Sequence, residues 1–75
     1  MVKFEIKISP KERMAYIPKE IVEALGYRLV AVPNLKGVYL YPKDLPLEQA
    51  VISVTNILRH LKQQLQLEKE VKHDE

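Results

Sequence analysis

Apolar and charged residues alternate without a break over residues 2–8. A period of two is typical of a strand that buries one face. The pattern predicts a first strand here, followed by a proline-containing turn over residues 9–13 and a second short strand over residues 14–17. The face that this first strand would bury carries Val2, Phe4, Ile6 and Ile8.

A short helix is predicted next, over residues 19–25. Pro18 suits its first turn, where a missing N–H leaves no hydrogen bond unmade, and Ile21 and Leu25 lie on one side at helical spacing. Gly26 stands where the end of a helix favours a positive φ. The helix therefore spans about two turns.

Residues 27–32 and 37–41 are rich in β-branched and aromatic side chains and predict a β-hairpin. Asn34 and Gly37 suit the loop between the two strands, since both tolerate positive φ. Residues 42–46 begin and end with proline and are expected to form a rigid linker.

The last element is the most periodic part of the chain. Its apolar residues are spaced 4, 3, 4, 3 and 4 apart, which predicts an amphipathic helix from near Leu47 to about Val71. So wide an apolar face needs cover, most simply from the same helix of a second chain. We call these oligomerisation residues the apolar stripe: Leu47, Val51, Val54, Leu58, Leu61 and Leu65.

Length and composition add a reason to expect self-association. A chain of 75 residues buries only a small core, and without cysteines it has no disulfide or thiolate–metal link to compensate. The net charge of +2 is divided unevenly, with +3 in residues 1–45 and −1 in residues 46–75. The positive excess permits a polyanionic partner without requiring one.

Enzymatic chemistry has little support in the sequence. The histidines, His60 and His73, lie in a helical pattern and a charged tail, and Ser9 has no histidine near it in the sequence. Glu20 and Glu23 are expected on a solvated helix face, and the two glycines form no phosphate loop. We therefore expect no enzyme activity, cofactor or metal site.

A family resemblance is carried by Ile17-Pro18-Lys19-Glu20-Ile21, by Glu23-Ala24-Leu25-Gly26 and by a closing strand over residues 38–42. These residues resemble the SpoVT-AbrB family of transcription regulators, which includes archaeal members and MazE-type antitoxins. The resemblance implies a mainly β fold with helices, in which two chains exchange hairpins to form one β-barrel. It assigns residues 1–43 to this DNA-binding domain, and leaves residues 44–75 as an oligomerisation helix and charged tail.

The resemblance also implies a double-stranded DNA partner. Lys7 and Lys19 match basic positions of the family, and we add Lys11 and Arg13 because they lie on the adjoining turn. We call these four residues the basic set. The family commonly has Lys-Gly-Gln or Gly-Arg in the turn where this chain has Glu12-Arg13-Met14.

The expected function is a DNA-binding transcriptional regulator or chromatin-like protein that acts as a homodimer, or as a tetramer through its last helix. With no signal peptide pattern and no uncharged stretch long enough for a bilayer, we expect it in the cytoplasm, associated with the nucleoid. Two alternatives stay open: an antitoxin whose C-terminal segment binds a toxin, and an adaptor that has lost DNA binding. Stacking on nucleic acid bases is the less favoured role for the tyrosines, Tyr16, Tyr27, Tyr39 and Tyr41.

Overall fold

The computed structural model describes the backbone of residues 2–73 and the side chains of residues 2–70. Asp74, Glu75 and the side chain of His73, in the predicted charged tail, lie outside the described residues. The chain divides into two compact units, Met1–Asp44 and Leu45–Glu75. Within the described residues, four elements follow one another: α1 (Lys19–Leu25), β1 (Leu29–Pro33), β2 (Val38–Pro42) and α2 (Leu47–His73).

The expectation of a mainly β fold is wrong. Within the described residues the sheet has two strands of five residues each, against helices of 7 and 27 residues. The predicted strands over 2–8 and 14–17 are reduced to one isolated antiparallel bridge between Ile8 and Ala15. A strand exists only where its backbone meets a partner, and no described residue supplies a ladder for residues 2–7.

Helix α1 has the predicted bounds. Pro18 precedes it with an extended backbone (φ −55°, ψ 141°), so the ring lies just before the first helical residue. Gly26 follows it at φ 87° and ψ −167°, a conformation that L side chains rarely adopt, and its N–H donates to the Val22 carbonyl at 2.7 Å. The glycine thus allows the chain to leave the helix.

The predicted hairpin is confirmed, with each strand shifted toward its proline. Strands β1 and β2 pair antiparallel from Leu29 opposite Pro42 to Pro33 opposite Val38. The Asn34 side chain closes the loop, because its Oδ1 accepts the N–H groups of Lys36 (2.7 Å) and Gly37 (2.8 Å). Neither Asn34 nor Gly37 takes a positive φ.

Helix α2 begins at Leu47, as the pattern predicts, and continues two residues beyond the expected end. The Pro46 carbonyl accepts the first helical hydrogen bonds, from the N–H groups of Gln49 (2.9 Å) and Ala50 (3.1 Å). Among the described residues, Ala50 is the one hydrophobic residue that is buried, with 6% of its surface exposed. Over the described residues, neither helix combines the length and apolar character needed to span a bilayer.

Gly26 offers a test of the turn after α1. We expect Gly26→Ala to lower the free energy of unfolding by about 1–3 kcal/mol, because alanine is strained at this φ and ψ. The space is open, since a Cβ would meet nothing within 4 Å, so the loss reports the backbone alone.

Gly37→Ala is the matched control for this measurement. A Cβ at Gly37 also meets nothing, and its φ is not in the positive range. Thermal melts at one protein concentration should therefore show a lower midpoint for Gly26→Ala than for Gly37→Ala. Equal midpoints would contradict the strain argument.

Candidate nucleic-acid interface

The turn between Ile8 and Ala15 is held by two backbone hydrogen bonds and the bridge. The Ser9 N–H donates to the Met14 carbonyl at 2.8 Å, and the Arg13 N–H donates to the Ser9 carbonyl at 2.7 Å. Together they close residues 9–14 into a tight loop. The side chains of residues 10–14 are exposed, and that of Ser9 is half-buried.

Three members of the basic set belong to this loop or its edge. Lys7 directly precedes the bridged residue Ile8, and Lys11 and Arg13 lie on the loop; all three side chains are exposed. Lys19 is also exposed, but it is the first residue of α1 and not part of the loop. The structure therefore groups three of the four predicted residues on one bridged segment.

Arg13 has an unusual backbone for an arginine. Its φ is +56°, the left-handed region that favours glycine, and among the described residues other than glycine it alone has a positive φ. A side chain in this region adds local strain, because its Cβ comes close to the backbone carbonyl. The loop tolerates that strain where a glycine would have avoided it.

The tyrosines divide into two kinds. The rings of Tyr39 and Tyr41 stack on each other along β2, with centroids 5.6 Å apart and planes 26° from parallel. Tyr16 and Tyr27 are instead 88% and 93% exposed. The first pair is thus engaged in packing within the hairpin, as the same-face spacing indicates.

Sequence reasoning left out a second basic pair, Arg28 and Lys43. The Lys43 N–H donates to the Arg28 carbonyl at 3.0 Å, which sets the two residues opposite each other at the open end of the hairpin, and both are exposed. The strand register would have revealed this pair, because pairing Pro33 with Val38 brings residue 28 opposite residue 43.

The part of the chain that the structure describes contains no cluster of side chains suited to binding a metal ion. No three residues of the His, Cys, Asp and Glu types come together there in a way that could hold a metal ion.

No protein-family model, curated protein or solved structure matches this chain.

The backbone of Arg13 can be tested separately from its charge. Arg13→Gly and Arg13→Ala remove the same charge, but only glycine is relaxed at a φ of +56°. We expect the glycine variant to be more stable than the alanine variant by about 1 kcal/mol. Denaturant melts at one fixed protein concentration measure this difference.

Lys11 provides the control for this comparison. It lies on the same loop with no positive φ, so glycine there should be no better than alanine. A preference for glycine at both positions, or at neither, would contradict a special backbone at Arg13.

Proposed function

We propose that this protein is a DNA-binding transcriptional regulator or chromatin-like protein that acts as a homodimer or higher oligomer. The observation that carries the proposal is the bridged loop with its exposed basic side chains, next to an apolar segment that stays exposed among the described residues. In this proposal, two N-terminal units exchange hairpins to form a β-barrel, and the basic set contacts the DNA backbone.

The uncovered apolar face supports the dimer. The inward positions of residues 2–8 are 37–80% exposed in the single chain. Burying a large aliphatic or aromatic side chain contributes about 1.5–3 kcal/mol, so leaving this face in water forfeits a large stabilisation. A second copy that offers strand partners would bury these residues and satisfy their backbone groups at the same time: Val2, Phe4, Ile6 and Ile8.

The backbone at Arg13 supports the family resemblance. In one of the two common SpoVT-AbrB patterns for this turn, Lys-Gly-Gln, the glycine falls at the position that Arg13 occupies. The positive φ of Arg13 is the conformation for which such a glycine would be used. The turn geometry thus agrees with the family pattern although the residue does not.

The charges of the basic set determine how it would bind DNA. Each lysine or arginine that neutralises a phosphate releases counterions, so affinity for DNA falls steeply as salt rises. Contacts of this kind orient the protein without reading sequence, which comes from base edges and DNA deformability. Because the basic set includes one arginine for bidentate guanine contacts, weak sequence selectivity is expected.

The C-terminal unit supports oligomerisation more than toxin binding. Toxin-binding segments of antitoxins are expected to be acidic and disordered before they bind, whereas α2 is one continuous helix of 27 residues. The apolar stripe is 39–71% exposed along it. A regular helix with an uncovered apolar face is suited to pairing with another helix.

The DNA-binding site is tested by Lys11→Ala/Arg13→Ala. We expect weaker binding to unrelated duplexes alike, and a plot of log affinity against log salt that is flatter by up to about 1.8 for each chain, since each lost phosphate contact removes about 0.9. Fluorescence anisotropy over a salt series measures both quantities.

Lys3→Ala/Lys36→Ala is the control, because it removes the same charge from exposed lysines of the same unit. It should change affinity and slope less than the loop variant does. Equal effects of the two variants would reject the loop as the site. Absence of DNA binding by the unaltered protein would instead favour the adaptor alternative.

Self-association through α2 is tested by Leu58→Glu/Leu61→Glu. Charges placed in an apolar interface lose their hydration, so we expect the association constant to fall by at least about a hundredfold. Gln63→Glu/Gln66→Glu adds the same charge to exposed positions on the polar side of the helix and should change little. Sedimentation equilibrium measures the mass of each variant in solution. Equal masses for the two variants would show that α2 is not part of the interface.

A further inference from the structure

We propose that α2 pairs antiparallel with α2 of a second copy, in a register that sets Leu47 opposite Leu65 of that copy. The inference rests on the part of the proposed function that assigns α2 to self-association, and not on DNA binding. The occupant of the apolar stripe is thus another chain of the same sequence in reversed direction.

The spacing of the apolar stripe gives the first reason. The intervals 4, 3, 4, 3 and 4 read the same in both directions. When one helix is reversed, each stripe residue meets a stripe residue of the other copy: Leu47 with Leu65, Val51 with Leu61, and Val54 with Leu58. Each pair occurs twice by symmetry, so all six positions are matched, and all six side chains are exposed in the single chain.

Charge beside the stripe gives the second reason. Glu48 and Lys62 flank the stripe on the same side and are 14 residues apart, about 21 Å along the helix, so they cannot pair within one chain. Neither has an opposite charge three or four residues away, where helical ion pairs form. In the antiparallel register Glu48 lies beside Lys62 of the second copy, and the two-fold axis makes two such pairs.

Thr55 is compatible with the centre of this arrangement. The two-fold axis brings Thr55 close to Thr55 of the second copy, where an unsatisfied hydroxyl would be costly. Its Oγ1 already donates to the Val51 carbonyl of its own helix at 2.6 Å. The hydroxyl thus needs no partner across the interface.

The parallel arrangement is less favourable. It also aligns the stripe with itself, but the next position of the heptad is Glu68, which would then face Glu68 of the second copy. Lys62 would lie beside Ile57 of that copy, and Glu48 would face no lysine. Parallel pairing therefore gains no ion pair and sets like charges together in the seam.

Other antiparallel registers match fewer apolar residues. Shifting one helix by seven residues in either direction leaves four of the six stripe positions of each chain opposite another stripe residue. In one of the two shifts, Val51 meets Glu68 of the second copy. The register with Leu47 opposite Leu65 is therefore the one that covers the whole stripe.

Cysteine cross-linking tests the direction, since the chain has no cysteine of its own. We would prepare Val51→Cys and Leu61→Cys with tags of different mass and equilibrate each alone, and both refolded together, in a glutathione buffer. The antiparallel register brings position 51 near position 61 of the second copy and keeps like positions apart. Disulfide-linked heterodimers in the mixture, without homodimers in either single sample, are the expected result.

The remaining outcomes overturn the inference in distinguishable ways. Homodimers in each single sample would show parallel helices, leaving self-association intact. Absence of any cross-link, beyond that of the polar-face control Gln63→Cys, would remove both the orientation and the role of α2 in association. DNA binding by the unaltered protein is measured separately, and neither cross-linking result changes what that measurement says about the proposed function.

A charge exchange tests the register without cysteine. Glu48→Lys or Lys62→Glu alone turns two attractions into two repulsions and should weaken association through α2 by about three- to tenfold at low salt. The double variant restores the opposite charges and should recover the original constant, and the differences should shrink in 1 M salt, where the Debye length is about 3 Å. If the double variant instead loses as much association free energy as the two single variants together, the register is wrong.

Discussion

The constraint on which this protein depends is apolar surface that one chain does not cover. Both units show it: the alternating face of residues 2–8 and the apolar stripe of α2 remain exposed, while Ala50 is the buried hydrophobic residue among those described. Water disfavours both faces in proportion to their area, at about 25 cal/mol per Å². The proposed association with a second copy would recover that free energy in a chain that has no disulfide to limit its unfolded state.

Elements fixed by neighbouring residues could be predicted from the sequence. Pro18 and Gly26 bound α1, Pro46 precedes α2, and the seven-residue periodicity of the stripe defines a helix within one segment of chain. The first strand could not be predicted in the same way. Alternation shows which face would be buried, but the strand itself needs a backbone partner that residues 2–7 do not find in the described chain.

In the candidate site, too, some features could be predicted from the residues themselves and others depend on backbone pairing. Exposure of Lys7, Lys11 and Arg13 follows from their charge, but their grouping on one loop depends on the bridge from Ile8 to Ala15. The positive φ of Arg13 could not be predicted from its residue type, because arginine rarely adopts a positive φ. Arg28 was missed because its position opposite Lys43 depends on the hairpin register, which the Asn34 side chain helps to fix.

In the proposed function, association and DNA binding are connected through charge. A net charge of +3 in one N-terminal unit is modest, and the rest of the chain is slightly negative. Since the logarithm of DNA affinity increases with the number of phosphates neutralised, two copies on one duplex gain far more than twice the affinity of one. Salt weakens those phosphate contacts but does not weaken apolar burial, so the two interactions respond to salt differently. In the proposed function, the uncovered apolar faces would thus supply, by assembling copies, the charge density that a single chain lacks.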